Sequence, residues 1–178
     1  MDDSRQVFSH FALDSSEASA VQREFERVLP SLDLSQRAKV LSQSAEVKKA
    51  LVKYKGRPGI YFWILKDGGV EYKVYIGQTQ SLSARLKNYI SEFQPHSPND
   101  YKLRVFYDFA LRLLPNATLD LYFSEKSKDC LGNEEKSAME KYRPFFYKLP
   151  RPDSSEKDKL KRAFSMCCQS IFEQNLNR

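Results

Sequence analysis

The chain has 178 residues, of which 41% are hydrophobic and 13% aromatic. This length suits one modest hydrophobic core with extensions, and the abundance of Phe and Tyr excludes an intrinsically disordered tail. The formal net charge is +6. That charge favours an acidic partner, with DNA as the first candidate, although many ordinary soluble proteins carry a similar charge.

Targeting and redox features predict a cytoplasmic protein. The N-terminal residues lack the basic and apolar regions of a signal peptide, and no apolar run in the sequence is long enough to span a membrane. The three cysteines, Cys130, Cys167 and Cys168, lack the paired C-x-x-C spacing of a zinc site. A reducing compartment is the simplest setting for such a chain.

Residues 1–55 are predicted to form an N-terminal helical arm. Apolar residues recur at helical spacing from Ser16 to Leu29, and Pro30 ends that run. A second amphipathic helix is predicted over residues 35–54. The arm could brace the core, read DNA or mediate dimerisation, and the sequence does not distinguish among these roles.

Residues 56–150 are predicted to form the core. The elements expected there are, in chain order, strands over 60–65 and 70–77, helices over 81–93 and 101–114, a strand over 118–123 and a helix over 133–142. Turn residues at 66–69 predict that the first two strands form an antiparallel hairpin. This order indicates an α+β domain with a small, mostly antiparallel three-stranded sheet flanked by helices. A basic C-terminal tail follows over 151–178, with a last helix predicted at about 155–173.

Three tyrosines and an arginine are the first candidates for a site. Tyr61 lies inside the first predicted strand and Tyr75 at the end of the second, so the hairpin would bring the two phenols close. Arg85 and Tyr89 are four residues apart on the following helix and share a face. Singly, each has an ordinary explanation, because strand tyrosines usually pack in the core and helix arginines usually extend into solvent.

Glu135 is the most informative candidate on physical grounds. Ala138, Met139 and Tyr142 follow it at helical spacing, so its carboxylate is predicted to lie on the apolar face of its helix. The neighbouring Glu134 has only Ala138 at such a spacing. A carboxylate that faces inward is costly unless it is paired or binds a cation. Taken alone, a salt bridge to a core Arg or Lys is the commoner explanation.

These residues belong to a longer ordered pattern: Gly59-Ile60-Tyr61, Tyr75-Ile76-Gly77, Arg85, Tyr89, Glu135 and, nine residues later, Pro144. Their order and spacing, over residues 56–150, resemble the GIY-YIG nuclease family. Three-letter motifs alone are common accidents, whereas the complete series is much more specific. The predicted order of secondary elements agrees with the same family.

The resemblance implies an endonuclease that hydrolyses DNA phosphodiester bonds with one divalent cation, Mg²⁺ or Mn²⁺. Glu135 would hold the metal through its carboxylate oxygens. Tyr61 would act as the general base with Tyr75 in support, and Arg85 would stabilise the pentacovalent phosphate. Tyr89 would hydrogen-bond the phosphate or a water. Cutting both strands of a duplex would call for sequential nicking or a homodimer.

Three features depart from the family pattern. The segment between Tyr61 and Tyr75 is longer than in many members. Gln78 stands where the repair-type members often carry a lysine. Tyr147 replaces the asparagine that commonly follows the proline, and this replacement bears on the hydrogen bonds around the metal.

Three other functions remain as alternatives. Glu71-Tyr72-Lys73 contains the E-x-K of a PD-(D/E)xK nuclease, but the nearest upstream acid, Asp67, lies in the hairpin turn. A non-catalytic DNA-binding module that retains the nuclease fold is the main alternative, and the Tyr147 departure favours it. In a plain structural or adaptor domain, the candidate residues would be accidents of core and surface.

Overall fold

The structure, a computed structural model, describes residues 8–91, 98–147 and 161–167. Its elements are α1 (Ser15–Glu24), β1 (Glu26–Leu32), α2 (Ala38–Gln43), α3 (Ala45–Lys53), β2 (Gly59–Asp67), β3 (Val70–Thr79), α4 (Leu82–Ile90), α5 (Pro98–Leu113), β4 (Thr118–Glu125) and α6 (Leu131–Tyr142). Single 3₁₀ turns, Ser9–Phe11 and Lys128–Cys130, precede α1 and α6. Residues 161–167 are also helical.

The four strands form one antiparallel sheet in the order β1-β4-β2-β3. The predicted α+β class and the antiparallel sheet are confirmed, but the predicted number of three strands is wrong. The extra strand, β1, comes from the segment that was expected to be helical throughout.

Helices cover both faces of the sheet. One face carries Tyr61 and Trp63 of β2 and packs against α2 to α5. The opposite face carries Ile60 and Phe62 and packs against α1 and α6. Because β2 is central and covered on both faces, almost all of its residues are buried and its sequence does not alternate.

The helix predicted from Ser16 to Leu29 ends earlier, at Glu24, and the chain continues as a strand. Leu29 and Leu32 are buried where β1 pairs with β4. Pro30 is tolerated because β1 is an edge strand, where a missing N–H costs no ladder hydrogen bond. Long-range pairing with β4 therefore overrides a helical spacing that was only local.

The single helix predicted over residues 35–54 is two helices, α2 and α3, which meet at Ser44. The Ser44 side chain accepts a hydrogen bond from the Val47 N–H and so caps α3. Within residues 8–55, the described part of the predicted arm, the chain is thus not helical throughout, because it supplies an edge strand to the same sheet as the core.

The remaining predicted elements differ mainly at their ends. The helix predicted over 101–114 spans Pro98–Leu113, and the one predicted from residue 133 begins at Leu131. The last helix was predicted over 155–173, of which residues 161–167 are described and helical. Within the described ranges, none of the helices combines the length and the apolar character that crossing a membrane requires.

The β2–β3 hairpin determines where the motif tyrosines lie. Its turn is Gly68-Gly69, with φ of 54° and 84°, values that a two-residue hairpin turn needs and that glycine adopts at little cost. A register shift after Trp63 leaves Tyr61 opposite Gly77 and Trp63 opposite Tyr75. Tyr61 and Tyr75 are therefore diagonal neighbours on one face of the sheet.

Candidate active site

Tyr61 and Tyr75 pack against each other on the face covered by α4. Their ring centroids are 5.9 Å apart and the rings are tilted by 32°. Tyr61 is only 1% exposed, whereas Tyr75 is half-buried. The hairpin thus brings the two phenols together, as the spacing of the motifs predicts, with Tyr61 as the deeper of the two.

Both motif glycines lie where a side chain would collide with a neighbour. A Cβ on Gly77 would lie 2.5 Å from Cζ of Tyr61 and still closer to its Oη. A Cβ on Gly59 would lie 2.7 Å from two ring atoms of Phe123 and still closer to the Ser124 carbonyl oxygen. Gly77 therefore makes room for the Tyr61 side chain, and Gly59 lets β2 approach β4.

Helix α4 brings Arg85 and Tyr89 to the same phenol. Buried Leu82, Leu86 and Ile90 anchor the helix in the core. The Arg85 Nε donates a hydrogen bond to Tyr61 Oη over 3.1 Å. The phenol oxygens of Tyr61 and Tyr89 are 3.2 Å apart and share a hydrogen bond.

Aromatic contacts hold this cluster from the sides. The Arg85 guanidinium lies 5.0 Å from the centroid of the Tyr89 ring, and the Trp63 ring packs edge-on against Tyr89 at 5.3 Å. On the other side, the Phe146 ring packs edge-on against Tyr75 at 5.7 Å. Backbone hydrogen bonds from Phe146 N–H to Val74 O (3.1 Å) and from Phe145 N–H to Lys73 O (3.0 Å) fix that segment along β3.

The three phenols are protonated at neutral pH. Burial raises the pKa of Tyr61 far above its ordinary value of about 10, the nearby Tyr89 raises it further, and Arg85 opposes the rise only in part. Burial also raises the pKa of Tyr75. Burial raises the pKa of Tyr89 to about 12, again against the opposing charge of Arg85. The Arg85 guanidinium thus lowers the pKa of all three phenols, against the effect of burial.

Glu135 reaches this region from α6. The Gln78 side chain, at the end of β3, donates a hydrogen bond from Nε2 to Glu135 Oε2 over 3.0 Å. Burial raises the pKa of Glu135, while the side chain and backbone of Gln78 oppose that rise. The charge of Glu135 also raises the pKa of Tyr75, so the carboxylate lies within electrostatic range of the phenols.

The two neighbouring glutamates have different surroundings. Glu134 pairs with Lys126 across 3.2 Å. Within the described part of the chain, Glu135 forms no ion pair, and it is half-buried. The salt bridge to a core Arg or Lys, the ordinary explanation for an inward carboxylate, is therefore not found there.

The side chains around Glu135 suit Mg²⁺ or Mn²⁺ better than zinc. Among residues 8–91, 98–147 and 161–167, no three His, Cys, Asp or Glu side chains cluster in a way that could hold a metal ion. Zinc, which takes three or four protein ligands, does not fit such a site. Mg²⁺ and Mn²⁺ prefer oxygen ligands, and Mg²⁺ often binds through one or two carboxylates, with waters and substrate phosphate completing the shell. Glu135, half-buried and without an ion pair in the described ranges, fits a cation of this kind.

The E-x-K alternative is not part of this cluster. Lys73 lies opposite Ile64, on the other face of the sheet from Tyr75, and it forms a partly buried ion pair with Glu17 of α1 at 2.8 Å. Glu71 pairs with Lys66 at 3.9 Å. The charged groups of a PD-(D/E)xK site are thus engaged elsewhere, in contacts that tie α1 and β2 to β3.

In the sequence, Gln78 differs from other residues near the motifs only as a departure from the family pattern. Its contact with Glu135 joins residues 57 positions apart, and no local spacing reveals such a pair. The only available signal was a hydrogen-bonding side chain directly after the second motif glycine. Tyr147, the other departure, is half-buried in the turn after Pro144, where its N–H donates to the Pro144 carbonyl over 2.9 Å.

The chain matches no protein-family model and no curated protein sequence. Among solved structures, it is similar to the GIY-YIG N-terminal endonuclease domain of UvrC from Thermotoga maritima. One such structure is bound to its catalytic divalent cation, magnesium; it is 25% identical, covers 60% of this chain and 100% of that chain, and has a TM-score of 0.35. A point mutant of the same domain, also bound to its catalytic divalent cation, is 23% identical over 61% of this chain and 100% of that chain, with a TM-score of 0.36.

Proposed function

We propose that this protein is a metal-dependent endonuclease that hydrolyses phosphodiester bonds in DNA. The observation that carries the proposal is one cluster in which Arg85 and Tyr89 hydrogen-bond Tyr61. The carboxylate of Glu135, which has no ion pair among the described residues, lies within electrostatic range of Tyr75 in that cluster. The complete GIY-YIG series of motifs supplies the same residues in the same order. A net charge of +6 suits a polyanionic substrate.

Arg85 acts on the reacting phosphate. Its guanidinium stays charged at any working pH, and its planar fork matches two phosphate oxygens. A phosphate in transfer carries more charge on its equatorial oxygens than the resting diester, so a preorganised cation stabilises the transition state most. Packing on Tyr89 and the hydrogen bond to Tyr61 hold the guanidinium in place before substrate arrives.

Tyr61 accepts the proton of the attacking water at Oη. It does so only as a phenolate, which burial disfavours. The Arg85 Nε, 3.1 Å from that oxygen, stabilises the phenolate by charge and by hydrogen bonding. The Tyr89 hydroxyl, 3.2 Å away, is a second hydrogen-bond partner. Tyr75, a half-buried residue whose ring packs on Tyr61, would orient the water through its hydroxyl.

Glu135 would hold Mg²⁺ or Mn²⁺ through its carboxylate. When bound, such an ion polarises the phosphate and neutralises charge on the leaving oxygen. The half-buried setting of Glu135 favours this role, because partial removal from water makes an unpaired carboxylate more costly and so rewards a cation partner.

The test is nicking of supercoiled plasmid with Mg²⁺ or Mn²⁺, with an EDTA control. The wild-type protein should convert supercoiled DNA to open circles or linear molecules, and Glu135→Gln and Tyr61→Phe should each lose that activity. Glu134→Gln is the matched control, since it changes the neighbouring carboxylate, which pairs with Lys126. Cleavage that survives both Glu135→Gln and Tyr61→Phe would show that the site lies elsewhere.

A non-catalytic DNA-binding module is the second candidate, and Tyr147 in place of the family's asparagine is the feature that favours it. The same assay separates the two functions. A wild-type protein that retards DNA in a gel but never nicks it, in either metal, has the binding function alone. Tyr147→Asn would then be the variant in which to look for restored cleavage.

A further inference from the structure

We propose that Gln78 is a positioning residue for Glu135: its side-chain amide holds Oε2 of the carboxylate and leaves Oε1 for the cation. This inference rests on the proposed function, because it assigns Gln78 a part in metal binding at that site. It concerns a residue that differs from the lysine often carried by repair-type members of the family that the sequence resembles.

The pairing of β3 with β2 fixes the backbone of Gln78. Its backbone lies in the sheet opposite Ile60 of the central strand, next to the last residue of β3, Thr79. The Gln78 side chain is exposed, yet its Nε2 lies 3.0 Å from Glu135 Oε2. The amide of an exposed glutamine can hydrogen-bond water instead of another side chain. A hydrogen bond to a particular side chain therefore needs an acceptor that this bond stabilises. A half-buried carboxylate without an ion pair among the described residues is such an acceptor.

The chemistry of the amide suits a metal ligand's neighbour. A carboxylate on a helix can rotate about its side-chain torsions, and a hydrogen bond to one oxygen restricts that rotation. A neutral amide does this without placing a positive charge beside the cation, whereas a lysine would add one. Partners that orient metal ligands typically change metal affinity by about 10- to 100-fold when they are removed.

The experiment measures Mn²⁺ binding to the DNA-free, full-length protein by isothermal titration calorimetry. The proteins compared are the wild type, Gln78→Ala and the matched control Gln80→Ala, which removes an exposed glutamine two residues further along. Gln78→Ala should raise the Kd for Mn²⁺ by about 10-fold or more, while Gln80→Ala should leave it unchanged. Because Gln78 is exposed, the variant should melt at the temperature of the wild type, which a thermal scan checks.

Plasmid nicking supplies the second readout. In Gln78→Ala the Mn²⁺ concentration for half-maximal nicking should rise by the same factor as the Kd, and the rate at saturating Mn²⁺ should return close to that of the wild type. A loss of fold stability would instead lower the rate at every metal concentration.

The measurements distinguish a failure of the proposed role of Gln78 from a failure of the proposed metal site. Equal or tighter Mn²⁺ binding by Gln78→Ala, in a protein whose wild type binds Mn²⁺ and nicks DNA, overturns the role of Gln78 alone. If the wild-type protein binds no Mn²⁺, or binds it equally well after Glu135→Gln, the proposed metal site fails and the inference fails with it.

Discussion

The Nε atom of Arg85 lies 3.1 Å from the phenol oxygen of Tyr61, although the two residues come from a helix and a strand 24 positions apart. The same guanidinium packs on the ring of Tyr89, whose hydroxyl also contacts Tyr61. The Arg85 guanidinium thus contacts both Tyr61 and Tyr89 in the absence of substrate. In the proposed reaction, that arrangement both stabilises a Tyr61 phenolate and prepares a donor for the phosphate.

Arg85→Ala should reduce the single-turnover rate of plasmid nicking by about 100- to 1,000-fold, the usual cost of losing one preorganised transition-state donor. Arg85→Lys should recover little of that loss, since an ammonium keeps the charge but not the planar fork. Near-complete activity in Arg85→Lys would mean that the charge alone is needed.

The rate of nicking should rise with pH across the neutral range. A general base works only when deprotonated, and burial holds the pKa of Tyr61 above its ordinary value. Well below that pKa, the phenolate fraction increases about tenfold per pH unit. Single-turnover rates at saturating metal between roughly pH 6 and pH 9 would show the slope. A plateau reached already near neutrality would point to a base with a lower pKa than Tyr61 has in the metal-free protein.

Gly77→Ala should displace Tyr61 and lower both stability and activity. The added Cβ would occupy the place of the Tyr61 phenol, which is buried and has little room to move. Overpacking of this kind typically costs about 1–3 kcal/mol in the free energy of unfolding. Urea denaturation and plasmid nicking would measure the two effects.

Gly132→Ala is the matched control for Gly77→Ala. A Cβ on Gly132 would meet no atom within 4 Å beyond its chain neighbours and the backbone of its own helix, and the residue lies in the first turn of α6. Alanine is the better helix former, so stability should stay unchanged or rise by up to about 1 kcal/mol. Equal losses in both variants would contradict the packing explanation for Gly77.

Leu29→Ala tests whether residues 26–32 belong to the sheet. Leu29 is 1% exposed and lies opposite Leu121 of β4, so its truncation leaves a cavity in the main core. The free energy of unfolding should fall by about 2–5 kcal/mol, as measured by urea denaturation. Val52→Ala, on the exposed side of α3, should change it by less than about 0.5 kcal/mol. A loss for Leu29→Ala no larger than that of Val52→Ala would mean that the segment is not part of the sheet.

Local spacing in the sequence was sufficient for several features of the candidate site. The turn glycines predicted the β2–β3 hairpin, which brings Tyr61 and Tyr75 onto one face. The four-residue interval between Arg85 and Tyr89 predicted that they share a side of α4, and both contact Tyr61. These relationships depend on the periods of strands and helices. A few neighbouring residues are therefore enough to predict which side chains share a face.

Other features depended on contacts between distant parts of the chain. The local apolar spacing around Leu29 fits a helix, yet this segment is a strand because β4, some 90 residues later, offers it a partner and a buried face. Likewise, nothing near Glu135 in sequence indicates that Gln78, 57 positions earlier, donates a hydrogen bond to it. Strand pairing and the choice of partner for a charge depend on which distant surfaces meet. The sequence alone therefore determined the local geometry of the candidate residues, whereas only the tertiary structure decided the fourth strand and the surroundings of the carboxylate.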